Sequence, residues 1–370
     1  MENKIYVTQP SLPDINEYKK LLDKIWDKKW ITNNGDFHRE LEERLKEYLN
    51  VDYLSLVSNG TLSLLLSIKA LNLKGEIITT PFTYIATTNA IEWMGCKPVF
   101  CDIKNDDFNI DCTKIEALIN ENTVAIMPVH VFGSPCNHEE INKIALKYNL
   151  KIIYDAAHAF NVKDNNYPIL NYGHYSSVSF HATKAFNTIE GGCIISHSKK
   201  DKEVIDQLRN FGYDHENIIV RSGINSKMNE FQAAFGLLQL DNSESQIQKR
   251  KIIYQYYKKE LSGIKGLIIN DVNKSISHNY TYFPIRINAN FKISAAELEI
   301  EFNKKNIFPR RYFYPLVSNT IPYKNNISSK RENLPIANLV ADEILCLPMY
   351  ESLTESDQIR IIKIINGCNE

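Results

Sequence analysis

Cysteine is sparse and unpatterned: seven residues in 370, at 96, 101, 112, 136, 193, 346 and 368, with no Cys-x-x-Cys spacing. An odd, scattered set excludes a disulfide framework and a zinc ribbon and reads as reduced thiols of a cytosolic chain. Charge of one sign is missing too, since 43 basic residues meet 44 acidic ones. That balance argues against a nucleic-acid surface as the main business of the molecule. No run approaches the about 18 apolar residues of a membrane span, and Met1-Glu2-Asn3-Lys4 opens into a strand-like segment rather than an export signal. The expectation is a soluble, cytoplasmic protein, in which the Asn-x-Ser/Thr triplets at 59, 279 and 326 are chance matches. The histidines show no His-Glu-x-x-His or paired-ligand spacing, so no metal is expected. Dinucleotide fingerprint, Walker loop and Gly-x-Ser-x-Gly elbow are absent as well, as are repeats and low-complexity linkers.

What is present is an alternation of short apolar runs and helix-like stretches over the first two thirds of the chain. Strands are expected at 53–57, 76–80, 97–102, 123–129, 151–155, 177–180 and 192–196, the last two as a hairpin-like pair. Helices are expected at 61–71, 86–94 and about 138–148, which together predict an α/β domain with a mostly parallel seven-stranded sheet. A charged helix follows at about 200–210, then a polar loop, then a long helix from Lys227 past Leu240 towards Lys258. Beyond it, strands near 280–287 and 308–313 and helices near 294–305 and 354–366 predict a smaller α+β domain. The division is placed at 245, within that long helix, giving domains 1–245 and 246–370. A chain of this length buries about three quarters of its unfolded surface and needs no staples.

Chemistry concentrates at a few points in order along the chain. Ser58-Asn59-Gly60-Thr61 joins a strand to an apolar helix, where free backbone amides and the helix dipole suit an anion. An ordinary strand-to-helix turn needs the same residue types. Tyr84 opens the next helix and is placed either to stack on a flat ring or to fill the core. Asp155 ends an apolar strand, at the end that faces the ligand crevice of an open α/β sheet, where it either caps a helix or pairs with a pyridinium N–H. His158 follows, as a stacking or hydrogen-bonding group or as a satisfied loop histidine. Ser179 can offer a hydroxyl to a phosphate. Lys184 comes just after a strand: solvated there, it is a surface charge; buried, its amine loses pKa and becomes a nucleophile and proton carrier. Glu190-Gly191-Gly192 marks a turn where a side chain would block a backbone approach.

Taken together, these segments resemble the DegT/DnrJ/EryC1/StrS group of nucleotide-sugar aminotransferases, fold type I pyridoxal phosphate enzymes. The likeness runs through Trp30-Ile31-Thr32-Asn33-Asn34-Gly35, Asn59-Gly60-Thr61, Thr83-Tyr84-Ile85-Ala86-Thr87 and Asp155-Ala156-Ala157-His158. It continues through Ser179-Phe180-His181-Ala182-Thr183-Lys184, Asn225-Ser226-Lys227-Met228-Asn229-Glu230-Phe231-Gln232-Ala233-Ala234 and Leu347-Pro348-Met349-Tyr350. The resemblance implies that Lys184 bonds the cofactor aldehyde and that Asp155 partners its ring nitrogen. It implies Gly60, Thr61 and Ser179 as phosphate ligands and Tyr84 as the stacking ring. Asn225 matches an asparagine that reaches the phosphate from a neighbouring subunit, which implies a homodimer with a shared site. Many members carry glutamine at the position of His158, and one branch replaces the lysine with histidine and acts as a dehydratase.

The opening Ile5–Pro13 segment and the Trp30–Gly35 stretch look most like members that aminate C4 of a dTDP-4-keto-6-deoxyhexose, with L-glutamate as donor, and Arg310-Arg311-Tyr312-Phe313-Tyr314-Pro315 also fits them. Arg310, Arg311 and Lys227 are candidates for the nucleotide diphosphate. The competing expectations are C3 amination of a dTDP-3-keto-6-deoxyhexose, a dehydratase or isomerase on the same sugars, and a pyridoxal-phosphate-binding regulator without turnover.

Overall fold

Continuous apolar runs such as Ile152-Ile153-Tyr154 form strands that are buried on both faces, and the packing shows why both faces must be apolar. Ile153 joins one core with Ile77, Leu64 and Ile205, whereas Ile152 and Tyr154 join another with Ile78, Ile126, Ile141 and Ile144. Successive side chains point to opposite sides of the sheet, and helices cover each side. The computed structural model describes residues 3–369; Met1 and Glu2, at the head of the expected N-terminal strand-like segment, and Glu370 lie outside the described residues.

In chain order the first part holds β1 (Ile5–Tyr6), α1 (Ile15–Lys28), α2 (Asp36–Leu49), β2 (Tyr53–Val57), α3 (Gly60–Ala70), β3 (Glu76–Thr79), α4 (Ile85–Trp93), β4 (Lys97–Phe100), α5 (Cys112–Ile115), β5 (Thr123–Met127), α6 (His138–Tyr148) and β6 (Lys151–Asp155). It continues with β7 (Lys163–Asp164), β8 (Tyr167–Pro168), β9 (Tyr175–Ser179), β10 (Gly192–Ser196) and α7 (Lys199–Leu208). The seven-stranded sheet has the order β2-β10-β9-β6-β5-β3-β4. Its pairs are parallel except those of β10, which runs against both β2 and β9. The hairpin-like pair at 177–196 therefore sits inside the sheet, with β2 outside it. Asparagines in the left-handed region end α2 and α6 at Asn50 and Asn149, where a short polar side chain tolerates a positive φ.

The edge strand β2 is not left open. Arg209 donates to Glu42 at 2.9 Å and to the carbonyl of Leu56 at 2.6 Å, and Glu42 accepts the Leu56 amide at 3.0 Å. Side chains thus occupy edge groups that would otherwise template another chain. Burial pushes the Glu42 carboxyl up, but the adjacent Arg209 and Lys202 outweigh it and hold it down at about 2.

From Asn229 the chain runs as one helix, α8 (Glu230–Leu261), of 32 residues. After it come β11 (Leu267–Ile268), β12 (Ile276–Ser277), β13 (Phe283–Ile287), α9 (Ala295–Lys304), β14 (Ile307–Phe308), α10 (Pro335–Glu343), β15 (Ile344–Leu347) and α11 (Glu355–Asn369). The proposed division at 245 falls in the middle of α8, whose first half packs Ala233, Leu237 and Leu240 on α2 and the sheet. Its second half packs Ile253, Tyr254, Tyr257 and Leu261 in the C-terminal core. A further core joins the two parts, with Phe82, Phe100 and Phe132 against Leu316, Leu334 and Ala341.

The expected strand at 308–313 is shorter than its apolar content suggests. Pairing with β1 covers only Ile307 and Phe308, after which a single bridge from Arg310 to Cys346 leads the chain away. The partner β1 is two residues long, so the ladder ends with it. Helices α1, α2 and α10 and strand β15 were not among the expected elements.

Candidate active site

The parallel strands β3, β5, β6 and β9 release their chains at one end of the sheet, and their carboxyl ends surround a cavity of about 860 Å³. Its wall includes Gly60, Thr61, Tyr84, Asp155, His158, Ser179 and Lys184.

The turn after β2 is a helix start with open amides. The Asn59 side chain caps α3 by accepting the amide of Leu62 at 2.8 Å, so it serves the third residue of the helix. Gly60 and Thr61 stand first and second, positions whose amides have no intrahelical partner and point along the positive end of the dipole. Two glycines make this approach possible. A Cβ on Gly60 would lie 2.7 Å from Cβ of Ser179, and one on Gly192 would lie 3.0 Å from the Gly60 nitrogen. The Ser179 hydroxyl is thereby brought beside the helix start.

Asp155 is 5% exposed and accepts from the Thr87 hydroxyl at 2.7 Å and the Ala157 amide at 3.1 Å. Burial raises its pKa, against the pull of those two donors and of the Lys184 charge. Both hydrogen-bond donors are neutral, so the carboxylate keeps acceptor capacity for a cationic N–H. Lys184 is half-buried in the cavity wall. Burial lowers its amine to about 8, although the Asp155 charge opposes the shift. Its Nζ donates to the Tyr282 hydroxyl at 3.3 Å.

His158 lies in the cavity wall with Nδ1 accepting the Phe132 amide at 3.1 Å, and its ring is parallel to Phe132 and Phe313. Burial, and next to it the Lys184 charge, hold this imidazole well below its ordinary pKa, so it is a neutral slab. Tyr84 stands at the N-cap of α4 with 59% of its surface exposed, at the mouth. Of the three cations considered for a diphosphate, Arg310 lines the cavity. Arg311 instead donates to the carbonyls of Ala341 and Asp342 at the end of α10. Lys227 donates to Asn210 at 2.7 Å and to Asn225 at 2.9 Å, outside the cavity wall. Asn225, like Arg311 and Lys227, does not join the others: it sits in the loop before α8, paired with Asn210.

Sequence reasoning passed over Thr87 and Tyr282. Thr87 had a signal, four residues after Thr83 on the helix face that Tyr84 opens, and the two hydroxyls do meet at 2.8 Å. Tyr282 had none among the aromatics of Tyr280-Thr281-Tyr282-Phe283, because its role depends on the fold bringing it 98 positions back to Lys184.

These groups fit pyridoxal phosphate. Among the described residues no cation is hydrogen-bonded to the buried Asp155 and no carboxylate is in hydrogen-bond contact with the Lys184 amine, and the start of α3 presents open amides to an anion. Gly60→Ala is expected to weaken cofactor binding about tenfold or more by pushing the Ser179 side chain off the helix start. Fluorescence titration of cofactor-free protein with pyridoxal phosphate measures it; unchanged affinity would refute the close-approach argument.

The comparisons agree with this reading. Residues 14–366 match the family described as the DegT/DnrJ/EryC1/StrS aminotransferase family. The chain is 48% identical over 365 residues to a dTDP-4-amino-4,6-dideoxy-D-glucose transaminase of Escherichia coli, covering 98% of each chain. It is 45% identical to the transaminase of the same name from Shigella dysenteriae, over 96% of each. Among solved structures, DesI in the presence of its TDP-sugar product superposes with a TM-score of 0.95 at 29% identity, covering 100% of this chain and 94% of that one. Open amides at a helix start, a buried acid and a lysine facing the same cavity, in a chain matched along nearly its whole length, place the protein in the DegT/DnrJ/EryC1/StrS aminotransferase family.

Proposed function

We propose that the protein transfers an amino group from L-glutamate to C4 of dTDP-4-keto-6-deoxy-D-glucose, using pyridoxal 5′-phosphate. The observation that carries the chemistry is Lys184, an amine in the cavity wall with Asp155 and with its pKa lowered to about 8. A regulator without turnover has no need of an amine held near neutrality in the wall of its site. The choice of sugar carbon and nucleotide is supported by the 48% identical E. coli transaminase.

When bound, the cofactor supplies a carbonyl that carries the amino group and a ring that draws electrons from the carbon losing its proton. Asp155 keeps the ring nitrogen protonated and so preserves that pull. Gly60, Thr61 and Ser179 hold the phosphate, with the dipole of α3 behind them. Tyr84 and His158 bound the flat part of the site. With the cofactor bound, Lys184 would take the proton from the donor's α-carbon and, in the second half of the cycle, deliver a proton to C4 of the sugar. The face of the sugar presented to the amine sets the configuration. Arg310, over the ring of Tyr312 at 4.9 Å, is the cation placed for the diphosphate.

Asn225 serves the phosphate of a second copy, so the working unit is a homodimer; its place outside the cavity of its own chain supports this. Among the described residues no helix is long and apolar enough to cross a membrane, in keeping with work in the cytoplasm. The test is direct. Glutamate should bleach the visible absorbance of the yellow protein and release 2-oxoglutarate, and NMR of the product from dTDP-4-keto-6-deoxyglucose should place the amine on C4. Absence of bleaching with any amino donor refutes amino transfer, and an amine on C3 refutes the choice of carbon.

A further inference from the structure

A proton carrier that alternates between amine and ammonium needs a partner that suits both states. A carboxylate stabilises only the ammonium, and a carbonyl accepts but never donates. A hydroxyl does both, accepting from an ammonium and donating to a neutral amine. The group that meets Lys184 in this structure is a hydroxyl, that of Tyr282 at 3.3 Å. The ammonium also lies 5.9 Å from the centre of the same ring. Burial keeps the phenol well above its ordinary pKa, so it holds its proton while the amine titrates.

We propose that Tyr282 is the resting partner of the Lys184 amine, holding it in line for proton transfer whenever it is not bonded to the cofactor. This rests on the amino-transfer reading above. A lysine side chain has four rotatable carbon–carbon bonds, and a freed amine without a partner samples many rotamers at each turnover. Tyr282 supplies one fixed point.

That point is itself held from three directions. The ring packs against Phe132 at 5.2 Å and His158 at 4.7 Å. Three residues earlier, Asn279 donates to the carbonyls of His158 at 2.8 Å and Phe160 at 3.0 Å, which ties the tyrosine segment to the loop after Asp155. Arg250 of α8 donates to the carbonyl of Asn279 and to that of Ala185, each at 3.2 Å. Its guanidinium therefore bridges the segment carrying the phenol and the residue next to the lysine. The two ends of the Lys184–Tyr282 contact are joined through one buried side chain.

The role is one of positioning through Lys184, and Tyr282→Phe isolates it, since the ring and its packing stay. Two readouts are needed. In full-length protein freed of cofactor, trace labelling of Lys184 with acetic anhydride across pH, followed by mass spectrometry, should give an apparent pKa near 8 in the wild type. In the phenylalanine variant the ammonium loses its acceptor, so the value should fall by about one. In the loaded enzyme, kcat should drop about tenfold with KM for donor and sugar within about twofold. A melting temperature within a few degrees of wild type confirms that the ring still packs. An unmoved labelling profile, an unmoved kcat, or a loss carried by KM overturns the proposal. Labelling uses neither donor nor sugar, so a failure of sugar amination leaves that result standing, and the two failures are told apart.

Discussion

Replacing Lys184 with alanine is expected to reduce amino transfer about 10⁴-fold, the upper range for loss of a positioned proton carrier. Among the described residues, the two histidines that line the cavity with Lys184 are poorly placed to take over. His158 has its Nδ1 committed to the Phe132 amide and is held far below its ordinary pKa by burial. His181 is exposed, 3.6 Å from Glu190, and occupied with the Thr183 hydroxyl at 2.9 Å. Pyridoxal phosphate should still bind, because the start of α3, Ser179 and Asp155 are untouched. The variant should also fold as well as wild type or better, since a half-buried amine without a hydrogen-bonded carboxylate costs stability through desolvation. Single-turnover release of 2-oxoglutarate and a thermal melt test both halves. Activity within tenfold of wild type would sink the mechanism.

Asp155→Asn should cost about 10²–10³-fold in the same assay, the range for removing one preorganised electrostatic partner. The amide keeps the shape of the carboxylate; its oxygen can still accept from the Ala157 amide while its NH2 group donates to the Thr87 hydroxyl, but it carries no charge to hold a ring nitrogen protonated. A second effect has a definite sign. The Asp155 charge raises the pKa of Lys184 against burial, so its loss should lower the lysine below about 8. Labelling of Lys184 in the cofactor-free variant should therefore show deprotonation at lower pH than in wild type. An unshifted profile together with full activity would show that the two groups do not act on one another.

Much of this was legible in the chain because local chemistry and tertiary position coincide. Doubly apolar strands such as Ile152-Ile153-Tyr154 require cover on both faces, and the sheet followed from that. The polar punctuation at Asn59-Gly60 and the acid closing β6 mark the carboxyl end of the sheet, where ligands gather. Lys184 was ambiguous by itself, since nothing in its neighbours separates a buried amine from a loop charge; only the surrounding cavity decides. Tyr282 and Arg250 were illegible for a related reason. Their partners lie 98 and 65 positions away, and no short-range pattern encodes such a meeting. The end of β14 was misread because a strand lasts only as long as its neighbour, and β1 stops at Tyr6.

The unbroken α8 has a mechanical meaning. At 1.5 Å per residue it is a rod about 48 Å long. At one end the Glu230 carboxylate grips the amides of Phe37 and His38, both at 2.9 Å, at the start of α2. At the other end Tyr257 and Leu261 are embedded in the C-terminal core. Between them Arg250 is bolted to the carbonyl beside the lysine. A rod fixed at both ends and in the middle has no hinge, so the C-terminal core cannot swing without moving α2 and the backbone at Ala185.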